Sequence, residues 1–287
     1  MDLKAFCQEE GIDVFSEVSI SSLPERDREY MVHVFPAARS VIVFGKEVPI
    51  PVYRSPPKKK TIGMLRIAEA LDNSAIRLAG LLNSEHVPAL PVPLYLPVRI
   101  AGGHVQGIVR LKHVAAAGRL GSIGRSSVLL SPRYGPRLLF SGVVTGRPVP
   151  EYVPEGEEWT GPGTGAADSP LCTGCGRCIR LCPGGAFGPD GVDAFRCRTI
   201  STWIPSPLVP AVKLLLGRQM LLKGLAPFAP WIARMATIRC SLCVTECPKF
   251  AGPEGNDKSG IMESQMNGEE IKALIPMSSV PDLKKRK

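Results

Sequence analysis

The run LCTGCGRCIRLCPGGAFG, residues 171–188, constrains this chain more than any other stretch. It sets cysteines at 172, 175, 178 and 182 and a proline at 183, the spacing of bacterial-type iron–sulfur runs. In such runs the fourth cysteine ligates a different cluster from the first three, so a second group of ligands must lie elsewhere. CSLCVTECP, residues 240–248, supplies Cys240, Cys243 and Cys247, again closed by a proline. Aligned from their Cys-Pro ends, the two motifs match at three cysteines, and Thr237 stands where a fourth would be. Cys197, lying between the motifs, is left to fill that place.

The crossing rule then assigns two [4Fe–4S] sites. One takes Cys172, Cys175, Cys178 and Cys247; the other takes Cys182, Cys197, Cys240 and Cys243. Only Cys7 of the nine cysteines is unused, and it reads as a small buried hydrophobe. Paired C-x2-C motifs also suit zinc, but the two Cys-Pro endings and the full first run favour iron–sulfur. Small residues such as Gly174 and Gly176 let backbone amides come close to the sulfurs.

Composition narrows the class further. The chain has 287 residues, with 29 glycines and 28 prolines, which indicates a globular protein rich in turns. Disulfide scaffolds are short chains, and the opening MDLKAFCQEEGIDVF has no secretory pattern; a cytoplasmic metal protein is expected. The formal charge of +9, with basic runs at 58–60 and 284–287, suits an acidic electron donor, a nucleic acid or a membrane surface, or simply a solvated basic face with a loose tail.

Along the chain, residues 2–10 and 22–33 read as helices and 40–48 as a strand. PIPVYRSPPKKK (49–60) reads as a loop. Apolar residues from Ile62 to Leu82 recur at helical spacing. HVPALPVPLYLPV (86–98) reads as extended, 106–117 as a helix, and SVLL and RLLFSGVVT as strands about the turn SPRYGP. The fold class expected is α+β: an α/β-type N-terminal domain over 1–152, a linker over 153–170, a bacterial ferredoxin-like double-cluster module over 171–252, and a basic tail over 253–287. Within the module, residues 203–235 form an apolar insertion interrupted by Lys213, Arg218 and Lys223. A membrane span needs about twenty nearly uncharged residues, so the insertion is expected not to span. Covering the clusters, docking a partner protein and lying on a membrane surface all remain open for it.

With these motifs quoted, the chain resembles the epoxyqueuosine reductases and, more distantly, the reductive dehalogenases, cobalamin-dependent reductases fed by two [4Fe–4S] clusters. LGSIGRSSVLLSPRYGPRLLFSGVVT (120–145) is similar to the family's Leu-Gly-Trp-Ile-Gly-Lys segment and the strands after it. CTGCGRCIRLCPGGAF resembles its first cluster motif. VDAFRCRTI (192–200) resembles its Asp-Ala-x-x-Cys segment, which supports Cys197 as a ligand. The family's Trp and Lys are Ser122 and Arg125 here.

The resemblance implies an oxidoreductase passing electrons from a ferredoxin- or flavodoxin-type donor through two clusters to cobalamin or a substrate in the front domain. Gly121, Ser122, Gly124, Arg125 and Ser126 are the candidate corrinoid contacts. The same glycines also suit a plain tight turn. Where the family has its aspartate proton donor, this chain has His104, Val105 and Gln106, and His104 is the candidate donor because imidazole titrates near neutrality. The family's tRNA-binding repeat extension has no counterpart in residues 248–287, so nucleic acid is not an expected partner. The alternative is an accessory electron-transfer or reactivating protein that reduces a partner without chemistry of its own.

Overall fold

The structure is a computed structural model and describes residues 1–94, 98–101, 104–107, 109–149, 169–188, 191–198, 206–208 and 237–252, with single positions 210, 211 and 214. Nearly all of the linker, most of the 203–235 insertion and the whole tail therefore lie outside the described residues.

SVIVFGKE forms strand β2 (Ser40–Glu47), and its run of apolar residues has a direct cause. Alternate side chains enter two different cores. Ile42 and Phe44 pack with Leu71, Ala75 and Leu78 on one face, while Val41 and Val43 pack with Met31, Val114 and Ala115 on the other. A strand covered on both sides is apolar at every position. β2 pairs antiparallel with β1 (Val14–Ser19) and with β8 (Leu138–Thr145), which also pairs with β3 (Ala89–Pro91). The order is β1-β2-β8-β3, antiparallel throughout. The front domain is thus a mixed helix-and-sheet layer structure, and the parallel alternation implied by an α/β-type domain is replaced by an antiparallel sheet. β1 carries partly exposed, mixed side chains, which is why its pattern is absent from the sequence reading.

Helix α1 (Leu3–Glu9) starts at Asp2, whose Oδ1 accepts from the Lys4 and Ala5 amides, the usual role of an N-cap. Helix α4 (Pro57–Ser84) covers the first face of the sheet; its apolar stripe at Ile67, Leu71, Ala75, Leu78 and Leu82 is buried. It begins earlier than the apolar periodicity. The Pro/Lys-rich stretch expected as a loop forms α3 (Ile50–Arg54) and the first turn of α4, because proline is accommodated where helix N–H groups have no partner. Thr61 shares in this turn by donating to the Pro57 carbonyl at 2.7 Å.

The second face carries α2 (Glu25–Val34) and α5 (Leu111–Ala117). The 106–117 helix of the sequence reading is shorter at its start, where β4 (Val98–Ala101) pairs with β5 (His104–Gly107). A half-buried ion pair binds the two helices: Arg110 Nε donates to both Asp27 carboxylate oxygens at 2.9 Å. His113 lies beside this pair, 3.4 Å from Arg110. Burial, then the Arg110 and Lys112 charges, push its imidazole down to about 4, with Asp27 opposing.

This shift has a defined sign. Folded His113 stays neutral while an unfolded imidazole protonates below about 6.5, so stability falls as pH drops from about 6.5 towards 4. At pH 5 the contribution is about 2 kcal/mol lost relative to pH 7. A His113→Gln variant is expected to remove that part of the loss, read as the wild-type-minus-variant difference in urea midpoints at the two pH values. An identical difference at both would show that His113 does not titrate between the states.

Candidate metal centre

The first cysteine motif turns through left-handed backbone. Gly174 and Gly176 both have φ +68°, which a residue with a Cβ adopts only at a cost. The short helix α6 (Arg177–Arg180) follows and carries Cys178. After Cys182 the chain runs into a hairpin, β9 (Phe187–Gly188) against β10 (Gly191–Val192), and returns through a turn set by Asp193. The Asp193 Oδ1 accepts from the Phe195 amide at 2.9 Å, and the Cys197 amide donates to the Asp193 carbonyl at 3.2 Å. Gly184 lets this returning turn close on the first motif, since a Cβ there would collide with the Arg196 carbonyl.

The second motif packs on the front domain. The Ile238 amide donates to Thr61 Oγ1 at 2.7 Å, and Lys60 Nζ donates to Ser241 Oγ at 3.0 Å. Helix α7 (Leu242–Thr245) carries Cys243. Beyond Cys247, Phe250 meets Tyr53 edge to face, with ring centroids 5.4 Å apart. Arg137, which pairs with Glu47, donates from Nε to the Phe250 carbonyl at 2.6 Å. Gly135, in the SPRYGP turn, sits so close that a Cβ would strike the Lys249 carbonyl.

These contacts sort the thiols. Cys243 is pushed up to about 11 by burial and then by the charges of Cys240, Cys197 and Cys182. Cys178 is raised by burial and by Cys172 and Cys175. Cys247 is raised by burial and by the same two. Two groups result, 172/175/178/247 and 182/197/240/243, each drawing on both motifs. Among the described residues no three Cys, His, Asp or Glu side chains stand close enough to hold one metal ion.

The backbone favours thiolate within these groups. The Arg177 amide holds the exposed Cys175 thiol below its ordinary range, with help from Thr173 and from the Arg177 and Arg180 charges. The Ala186 amide donates to Cys182 Sγ at 3.4 Å, and the Lys249 amide bonds Cys247. Cys7, by contrast, is buried in the front core, and burial followed by Glu10 pushes it up to about 12.

The five residues nominated for a corrinoid lie between β7 (Leu129–Leu130) and the first cysteine motif. Gly121 lies against the backbone of β7, where a Cβ would collide with the Leu130 carbonyl. Ser122, on β6 (Ser122–Ile123), shares a 2.7 Å hydrogen bond with Ser169. A Cβ on Gly124 would be 3.0 Å from Leu130 and 3.7 Å from Cys172 Sγ. Arg125 donates to the Gly174 carbonyl at 3.2 Å, and Ser126 is buried. Lys112 fixes the next residue, Ser127 at φ +58°, through its carbonyl at 2.7 Å. The glycines make a tight turn against β7 and the first cysteine motif, and Gly124, Arg125 and Ser126 line a cavity there with Cys172, Cys175 and Cys178. His104 occupies the first position of β5 opposite Ala101; its side chain lies outside the described residues.

No family model and no curated protein matches the chain. Solved structures do. An epoxyqueuosine reductase is 17% identical, with TM-score 0.52, over 87% of this chain and 65% of its own. The epoxyqueuosine reductase of Streptococcus thermophilus is 16% identical, with TM-score 0.50, over 88% and 67%. The chain has the epoxyqueuosine reductase fold. A catabolic reductive dehalogenase shares it at 15% identity and TM-score 0.51, over 88% of this chain and 32% of that one. The chain thus spans about two thirds of the length of these reductases and a third of the dehalogenase. Among the described residues no helix is long and apolar enough to cross a membrane.

Two glycine substitutions separate backbone strain from steric collision. Gly174→Ala meets nothing within 4 Å and is expected to cost only the left-handed penalty of about 1–2 kcal/mol. Gly184→Ala must move the Cys197 turn and is expected to cost more than Gly174→Ala in denaturant unfolding. Equal costs would mean that the Arg196 contact is not tight.

Proposed function

We propose that the chain is an iron–sulfur oxidoreductase in which the two thiol groups hold two [4Fe–4S] clusters, and that electrons are delivered to a cofactor or substrate at the front domain. The observation that supports this reading is the crossed sorting of the thiols, three from one motif with one from the other, completed by Cys197. Clusters so held supply one-electron transfer. The protein's part is to hold the thiolates, donate amide N–H groups to the sulfurs and place cations near them, all of which tune potential. Exposed Cys175 gives a ferredoxin- or flavodoxin-type donor access to the first group. The second group abuts α4 through Ser241 and Ile238. In this reading residues 1–152 form the acceptor domain and 171–252 the electron-carrying module.

The shared fold supports a reductase, as its neighbours are epoxyqueuosine reductases and a reductive dehalogenase. Cobalamin, the acceptor the resemblance implies, would supply a metal centre that takes electrons singly. In this chain Gly121, Ser122 and Arg125 are committed to contacts with β7, Ser169 and Gly174. That commitment favours a second reading, an accessory protein that reduces a partner through its front domain.

Anaerobic purification with iron and sulfide analysis is expected to give eight irons per chain, and Cys197→Ala fewer. Eight irons in that variant would overturn the place of Cys197. Electron paramagnetic resonance of added cob(II)alamin separates the readings: a changed spectrum supports an own-acceptor enzyme, and an unchanged one supports the accessory protein.

A further inference from the structure

A cavity of about 730 Å3 opens beside Cys240, between the α3–α4 corner of the front domain and the second cysteine motif. Four cations from four separate segments line it: Arg54 at the end of α3, Lys60 in the first turn of α4, Arg198 after the Asp193 turn and Arg239 before the second motif. Arg54, Arg198 and Arg239 are exposed and, among the described residues, have no ion-pair partner. Among the described residues Glu246 is the one carboxylate in the lining.

Lys60 is the most telling of the four. It is 7% exposed, yet among the described residues its Nζ has a single partner, the Ser241 hydroxyl at 3.0 Å. An ammonium carries three donors, and burying a cation without a counter-charge is unfavourable. Lys60 therefore holds its remaining donors beside a cavity already rich in positive charge, with Ser241 and Thr245 adding hydroxyls to the wall.

We propose that this cavity binds a small polyanion, a molecule presenting two or more phosphate or carboxylate groups. Guanidinium forks match both oxyanions with paired hydrogen bonds. The volume falls within the roughly 300–1,000 Å3 of small-molecule sites, and the donors converge on a concavity; an acidic protein surface would call for a flat or raised basic patch. Binding itself does not depend on the cluster reading. If that reading holds, the anion sits beside Cys240 and is a candidate substrate or effector of electron transfer.

Isothermal titration of the anaerobically purified full chain with pyrophosphate and with citrate, at constant ionic strength, tests the proposal. At least one is expected to bind with a single site per chain, and the preference between them identifies phosphate or carboxylate as the favoured group. Arg54→Ala, which is remote in sequence from every cysteine of the module, is expected to weaken binding at least tenfold; Arg239→Ala should do the same. Absence of binding by both probes at millimolar concentration would overturn the proposal, as would affinity unchanged in Arg54→Ala. Iron content measured on the same samples keeps the two readings apart: eight irons without anion binding defeats this inference alone, whereas anion binding without iron defeats only the cluster reading.

Discussion

Sulfur atoms held in one another's electrostatic field repel as thiolates, and the geometry of this protein is organised around that repulsion. Cys243 shows it most clearly, raised by burial and then by three other cysteines. Nothing in an ordinary apolar core would bring four such groups together. Their convergence makes sense where a cationic group replaces the repulsion with bonds. The amides of Arg177, Ala186 and Lys249 act in the same direction by stabilising negative sulfur.

Bringing the sulfurs together requires close backbone contact in places where a side chain would intervene. Gly184 lets the Cys197 turn reach Cys182, Gly135 lets the SPRYGP turn reach Lys249, and Gly121 lets the loop before Cys172's seat lie on β7. The Gly135 contact joins segments far apart in sequence, whereas the other two close local turns. In the glycine loop at 120–127 the Ser127 carbonyl, the Ser122 hydroxyl and the Arg125 guanidinium each bond protein.

That the two cysteine motifs meet was legible in their spacing, and Cys197, nominated by elimination and by its Asp-Ala-x-x-Cys surroundings, lies within the electrostatic reach of Cys243. β2 and α4 were legible from their apolar patterns. Other features have no local signature. β1 mixes exposed and buried positions, so no alternation marks it. The 49–60 stretch looks like a loop because its prolines and lysines are poor helix signals, although prolines at a helix start are harmless. Lys60 looks like one of three solvated lysines, yet it alone is buried, because α4 turns it towards Ser241. That fact depends on a contact 181 positions along the chain.

Val244 and Phe250 pack against the same apolar cluster as Leu71, Leu78 and Ile42. The cysteine module and the front sheet therefore share one core, clamped by Arg137 and by the Tyr53–Phe250 ring pair. A group that binds only the folded module adds its binding free energy to the folding of whatever shares that core. If the thiol groups hold clusters as proposed, the consequence reaches the chain's survival in the cell: iron supply would set how long the front domain persists, and a chain deprived of metal would present its sheet and its second motif to proteolysis as one unit.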